Sequence, residues 1–150
     1  SSAGRRLAIP IRHAIMVTTY KKGGETMKIQ ESAENYLEAI LMLQQEKGFV
    51  RSIDIAGKLE FSKPSVSIAM KNLRENGYIE MDGDGLTTLT AAGQAIAERV
   101  YERHVLLTNW LERLGVDREH AVEDACRIEH VISAESFEAI KRHAAQKNTE

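Results

Sequence analysis

The chain has 150 residues, of which 43% are hydrophobic and 28% are charged. This composition is typical of a folded globular protein and excludes a chain that is disordered throughout. The formal net charge of −2 excludes a histone-like polycation, and the single cysteine, Cys126, excludes an intrachain disulfide scaffold. The apolar runs are far shorter than the roughly 18 residues that a membrane-spanning helix needs, so we expect no membrane partner.

The charge is unevenly distributed along the chain. Residues 1–26 carry five basic side chains and one acidic side chain, a net charge of +4. The remaining residues carry 15 basic and 21 acidic side chains, a net charge of −6. Residues 21–26 are rich in turn-forming types. We interpret residues 1–26 as a basic, flexible tail, or as an upstream or expression remnant that precedes a start at Met27.

Helical periodicity and capping residues predict three helices in the first half of the chain. The first is amphipathic along its whole length. The second has Ser52 as a candidate N-cap. The third follows a candidate cap at Ser62 and accommodates Pro64 in its first turn, where the missing N–H costs nothing. The predicted ranges are residues 31–45, 52–59 and 62–76.

A two-stranded wing and three further helices follow the third helix. Residues 78–81 and 86–89 are typical of short strands, and the Asp-Gly repeat between them is typical of a hairpin turn. Each later helix has a side chain that can cap its N-terminus. The predicted ranges are residues 91–114, 117–131 and 133–147, with caps at Thr90, Asp117 and Ser133.

This order of elements predicts a mainly α fold. Residues 27–92 form an N-terminal winged helix-turn-helix, in which the short turn between the second and third helices is the characteristic piece. Residues 93–150 form a helical domain. Its apolar residues need a partner to cover them, so we expect it to form a homodimer. We also expect this domain to bind metal, through candidate ligands described below.

The third helix is the candidate DNA-reading element. In a winged helix-turn-helix this helix lies in the major groove and its N-terminal residues reach base edges. Small hydroxyls allow close approach, apolar side chains suit a thymine methyl group, and lysines suit phosphates. The candidate DNA-binding residues are Lys63, Pro64, Ser65, Ser67, Ile68 and Lys71, with Arg74 as a further phosphate contact.

The charge around this helix is nearly balanced. Residues 48–92 contain five basic and six acidic side chains, which is not the strongly basic surface of a constitutive DNA-binding protein. Binding by one copy should therefore be weak, and a dimer or a bound cation would strengthen it. The alternative is that the third helix packs within an unrelated helical protein, but the hairpin that directly follows it favours DNA binding.

A candidate metal site lies in the fifth predicted helix. Cys126, Glu129 and His130 stand at i, i+3 and i+4, which places all three on one helix face. A thiolate, a carboxylate and an imidazole together suit a borderline divalent ion. Each residue has a simpler interpretation: a small core cysteine, a solvated carboxylate and a helix-terminal histidine. Further candidate ligands are Glu123, His104 and Glu38.

Four stretches of the chain resemble the metal-dependent repressors of the diphtheria toxin repressor and manganese transport regulator family. The resemblance extends over residues 32–145. It implies a homodimeric repressor that binds operator DNA when it is loaded with Fe(II) or Mn(II), and no SH3-like third domain is expected after Glu150. The matching stretches are residues 34–40, 62–67, 103–107 and 123–130.

The resemblance implies a set of metal ligands. Cys126 matches a position that is cysteine in iron-sensing members and glutamate in manganese-sensing members. Asn35 departs from the family pattern of Asp or Met, and a neutral amide oxygen is a weaker ligand. Thr108 and Val122 replace two ligands of the ancillary site of the iron branch. The implied ligands are Glu38, His104, Cys126, Glu129 and His130, with Asn35 and Glu123 as two further candidates.

We therefore predict a cytoplasmic, metal-responsive repressor and not an enzyme. It would bind double-stranded palindromic operator DNA as a homodimer and control metal-ion homeostasis. Mn(II) or Fe(II) would be the activating metal, with Zn(II), Co(II) or Ni(II) as surrogates. A metalloenzyme is disfavoured because the sequence has neither an HExxH helix nor a nucleophile with a base partner. The other alternative is a metal-independent winged-helix regulator that senses a small ligand or redox state through Cys126.

Overall fold

The computed structural model describes the backbone of residues 22–147 and the side chains of residues 31–146. The described chain is mainly helical, which confirms the predicted fold class. It divides into two compact units, of which the first ends at Glu98 and the second begins at Arg99. The elements are α1 (Lys22–Lys47), α2 (Ser52–Leu59), α3 (Lys63–Glu75), β1 (Ile79–Met81), β2 (Thr87–Leu89), α4 (Ala91–Arg113), α5 (Arg118–Val131) and α6 (Ala134–Lys147).

Helix α1 begins earlier than its apolar pattern predicts. The turn-forming residues 22–26, interpreted above as the end of a flexible tail, lie within its first turns. Extending an existing helix fixes one residue for each hydrogen bond gained, so a long helix tolerates weak helix formers at its end. The rest of the predicted tail, residues 1–21, lies outside the described residues.

The core of the first unit is formed by α1, α2, α3 and the start of the wing. The buried face of α1 has the spacing expected of an amphipathic helix, and α3 buries Val66, Met70 and Leu73. Burying an aliphatic side chain contributes roughly 1.5–3 kcal/mol, so this cluster orients the three helices. Its largest fully buried apolar side chains are Leu37, Ile40, Val50, Ile55, Leu59, Val66, Met70 and Ile79.

The turn between α2 and α3 is tight and well defined. Glu60 adopts a left-handed conformation with φ of 58° and ends α2, and the N–H of Phe61 donates to the Ala56 carbonyl at 3.2 Å. Ser62 caps α3 as predicted, because its Oγ accepts from the Ser65 N–H at 3.3 Å. This turn sets the angle at which α3 leaves α2.

The predicted N-cap of α2 is wrong by one residue. Arg51, not Ser52, precedes the helix in an extended conformation. The Asp54 carboxylate accepts from the Arg51 N–H at 3.0 Å and from Lys47 Nζ at 2.5 Å. This carboxylate therefore fixes the start of α2 by accepting from the N-cap N–H, and the lysine holds the pKa of Asp54 below its ordinary value.

The wing is a two-stranded antiparallel sheet in which Ile79 pairs with Leu89 and Met81 pairs with Thr87. The strands and the turn between them are confirmed to within a residue. The Asp82 carboxylate accepts from the N–H groups of Asp84 and Leu86, both at 2.9 Å, and so closes the hairpin. The wing therefore follows α3 directly, as a DNA-binding winged module requires.

The second unit comprises the remainder of α4 together with α5 and α6. Gly115, with φ of 103°, ends α4 where a left-handed residue is needed. Asp117 and Ser133 cap α5 and α6 as predicted, accepting from His120 N–H at 3.2 Å and Ser136 N–H at 3.1 Å. None of the described helices is both long and apolar enough to cross a membrane.

Helix α4 begins in close contact with the wing. Thr90 caps α4, because its Oγ1 accepts from the Gly93 N–H at 3.2 Å. The same hydroxyl donates to the Gly77 carbonyl at 2.6 Å, which ties the helix start to the segment before β1. A Cβ atom at Gly93 would lie 2.0 Å from the Tyr78 carbonyl oxygen. Only glycine therefore allows the first turn of α4 to approach the backbone ahead of β1 so closely.

We expect Gly93→Ala to lower the free energy of unfolding by about 3 kcal/mol, because two backbone segments must separate. Chemical denaturation would measure the change. Gly57→Ala is the matched control, because Gly57 lies inside α2 and a Cβ atom added there would meet no neighbouring atom within 4 Å. That substitution should raise stability by roughly 0.5–1 kcal/mol. Equal stabilisation by both substitutions would contradict the close contact.

Candidate metal centre

Helix α5 carries the candidate ligands on a buried face. Its buried residues are mostly small or apolar, but Glu129 is among them and is only 1% exposed. A carboxylate in such surroundings is costly unless it is paired or coordinates a metal. The buried residues of α5 are Ala121, Val122, Ala125, Cys126 and Glu129.

Helix α4 brings His104 against this face. His104 Nδ1 lies 3.0 Å from Glu129 Oε2 and 3.7 Å from Cys126 Sγ. One ligand atom from each residue can be chosen so that all three lie within 4.8 Å of one another, and all three residues are buried. The structure therefore brings together an imidazole, a thiol and a carboxylate that lie up to 25 positions apart in the chain.

The second carboxylate oxygen of Glu129 supports a cation site. Glu129 Oε1 is buried and no hydrogen bond from the described residues reaches it, although His130 Nε2 lies 3.3 Å away. A metal ion would satisfy this oxygen and the lone pairs of the neighbouring imidazole and thiolate. Nitrogen, sulfur and oxygen donors together suit a borderline divalent ion, so the residues fit the implied metal.

The other predicted ligands have different surroundings. The His130 side chain is 3% exposed and approaches Glu129, but it is not part of the compact group of three. Glu123 is partly exposed and also lies outside that group. In the first unit, Glu38 is completely buried and Asn35 is 1% exposed. These four residues stay predicted ligands.

Sequence reasoning did not predict the burial of two polar residues, Glu34 and Thr108. Glu34 is 6% exposed and lies one turn before Glu38 on α1, so the buried face of that helix carries two carboxylates. Thr108 is 4% exposed, and its hydroxyl has no hydrogen-bond partner among the described residues. Their spacing could have indicated this burial, because each lies four residues from a predicted ligand and so on the same helix face. Glu34 precedes Glu38 by one turn, and Thr108 follows His104 by one turn.

His120 contacts the residue that caps α5. It is exposed, and its Nδ1 lies 2.6 Å from the Asp117 carboxylate that caps α5. Hydrogen bonding and charge attraction from Asp117 raise the pKa of His120. His143 is also exposed, and His13 lies outside the described residues.

The candidate DNA-reading residues all lie on the exposed side of α3. Val66, Met70 and Leu73 face the core, and the residues between them face outward. Ile68 is 64% exposed, so its side chain is accessible to a partner. The exposed candidates are Lys63, Pro64, Ser65, Ser67, Ile68 and Lys71, together with Arg74.

Comparison with known proteins gives the family. The N-terminal DNA-binding domain of iron-dependent repressors matches residues 28–85, and their metal-binding and dimerisation domain matches residues 90–148. The HTH-type transcriptional regulator MntR of Shouchella clausii is 38% identical over 109 residues, which are 73% of this chain and 76% of that protein. The chain belongs to the iron-dependent repressor family. It is a metal-dependent, DNA-binding transcriptional repressor, and the prediction that it is not an enzyme is confirmed.

Other family members show the same likeness. The transcriptional regulator MntR of Escherichia coli O6:H1 is 38% identical over 112 residues, which are 75% of this chain and 72% of that protein. The solved manganese regulator SloR has a TM-score of 0.68 and 27% identity, and the match covers 75% of this chain. A manganese-dependent repressor solved with manganese has a TM-score of 0.68 and 26% identity over 74% of this chain. The chain spans about half the length of these two structures, 53% and 51%.

We expect Co(II) to produce a near-ultraviolet sulfur-to-metal charge-transfer band that Cys126→Ser abolishes. Cys126 is the only cysteine of the chain, so the band has a single possible source. Absorption titration under anaerobic conditions would measure it. Val131→Ser is the control, since Val131 is 63% exposed at the end of the same helix and should leave the band unchanged. A band that persists in Cys126→Ser would show that the thiol is not a ligand.

Proposed function

We propose that the chain is a homodimeric repressor that binds double-stranded palindromic operator DNA when it is loaded with Mn(II) or Fe(II), and so controls metal-ion homeostasis in the cytoplasm. The observation that carries this proposal is the buried group of His104, Cys126 and Glu129. It occurs in a chain whose other unit is a winged helix-turn-helix with an exposed third helix. The names of the manganese-regulator relatives support the same function.

The proposed ligands combine an observed group with residues taken from the family pattern. His104, Cys126 and Glu129 form the observed group, and His130 lies beside Glu129. Glu38 is added because it matches the family pattern and is completely buried. The metal would neutralise the buried carboxylate charge. Asn35 and Glu123 are secondary candidates, and Zn(II), Co(II) or Ni(II) would be surrogate metals.

The proposed mechanism is a shift between conformations. Without metal, the buried carboxylates favour arrangements in which their charges are separated or solvated. Metal can favour a DNA-binding conformation only through a higher affinity for that conformation. Because the third helix has a nearly balanced charge around it, DNA affinity depends on two copies that reach successive major grooves together.

We expect DNA affinity to rise with metal concentration in an anaerobic titration of Mn(II) or Fe(II), measured by fluorescence anisotropy with a palindromic operator. Glu129→Ala should abolish this response, because the central carboxylate of the site is lost. Lys63→Ala should weaken DNA binding for all sequences and lower the salt dependence by about one phosphate contact, while metal affinity stays the same.

The outcomes separate the two functions considered. DNA binding that is unchanged across the metal titration would contradict the metal switch and support a regulator that senses another signal through Cys126. Loss of metal affinity in Lys63→Ala would contradict the assignment of that lysine to DNA alone. Lys71 offers a second phosphate contact to test, since it is 65% exposed on the same helix.

A further inference from the structure

Arg103 occupies the C-terminal end of the ligand-bearing helix α5. The last carbonyl groups of a helix have no partner within the helix. Nη1 of Arg103 donates to the Glu129 carbonyl at 3.1 Å and to the Ile132 carbonyl at 3.0 Å. A guanidinium here satisfies two such carbonyls with charge-assisted bonds and lies at the negative end of the helix dipole.

The same guanidinium contacts α6. Its central carbon lies 5.4 Å from the centre of the Phe137 ring, and Phe137 is only 4% exposed. Stacking on a buried ring restricts the plane of the guanidinium and so the direction of its N–H groups. One side chain from α4 therefore joins the end of α5 to the start of α6.

Two proposed ligands are tied directly to this side chain. His104 is the next residue along α4, and Glu129 supplies one of the two accepting carbonyls. The hydrogen bond between His104 Nδ1 and Glu129 Oε2 spans the same two backbone segments. Any sliding of α5 along α4 would have to break both connections.

We propose that Arg103 is a positioning residue of the metal centre, which holds the Glu129 backbone at the distance from His104 at which one ion can bind both side chains. The inference rests on the proposed metal-binding function. Arg103 acts through the two carbonyls and is not itself a ligand. Partners that orient metal ligands in this way typically change metal affinity by about 10- to 100-fold when they are removed.

The experiment compares Arg103→Met with Arg113→Met. Arg113 also lies on α4 and also donates to a backbone carbonyl, that of Ala144 on α6 at 3.3 Å, but it lies nine residues, about two and a half turns, beyond His104. Both variants lose a cation and its hydrogen bonding between helices, two bonds for Arg103 and one for Arg113. The measurements are Co(II) affinity, the Co(II) absorption spectrum at saturation and the thermal stability of the metal-free protein.

Arg103→Met should weaken Co(II) binding by at least about tenfold and change the intensity of the sulfur-to-metal band, because the ligands no longer share one geometry. Arg113→Met should lower thermal stability while affinity and spectrum stay unchanged. Arg103→Lys should recover part of the affinity, since an ammonium keeps the charge but lacks the planar fork of the guanidinium. This variant also provides the test if Arg103→Met does not fold.

Other results would overturn the inference. If the unaltered chain binds Co(II) and both methionine variants match it in affinity and spectrum, Arg103 is only a structural crosslink and the metal site itself stands. If Arg113→Met loses affinity to the same extent, the effect is one of general stability and not of positioning. If the unaltered chain fails to bind Co(II), both the proposed metal site and the inference are wrong.

Discussion

A carboxylate in an apolar environment is the constraint on which the second unit depends. Glu129 is almost completely buried, and its two oxygens point toward two different histidines. The free energy cost of burying that charge must be offset locally, because water is excluded. Two neighbouring residues stabilise the buried carboxylate and its position. His104 supplies a hydrogen-bonding partner, and Arg103 fixes the backbone that carries the carboxylate.

The same constraint explains why the site residues come from two helices. Residues three and four apart on one helix share a face, but their side chains leave it in nearly parallel directions. A compact group around one ion needs a donor from an opposing surface, which α4 supplies. Cys126 and Glu129 can therefore be identified from their spacing, whereas the contact with His104 depends on how the two helices pack. His104 is a candidate ligand by its residue type, and the family resemblance assigns it to the same site as the other two.

Much of the fold could be predicted because its signals are local. The caps at Ser62, Asp117 and Ser133 and the Asp-Gly turn of the wing each act within a few residues. The N-cap of α2 differs from the prediction by one residue. The Asp54 carboxylate accepts from the Arg51 N–H and from Lys47 Nζ, which fixes the helix start one residue before Ser52. The burial of Glu34 and Thr108 depends on tertiary packing, which a helical pattern of charged and hydroxyl residues does not reveal.

The capping of α3 has a consequence for the surface that this helix presents. Ser62 Oγ accepts the Ser65 N–H and donates its own proton to Ser65 Oγ at 2.8 Å. One lone pair of the Ser65 hydroxyl is therefore occupied, while this bond leaves its proton available. At the tip of the helix this group is a hydrogen-bond donor first. Phosphate oxygens and the acceptor edge of guanine would match it better than the amino groups of adenine or cytosine.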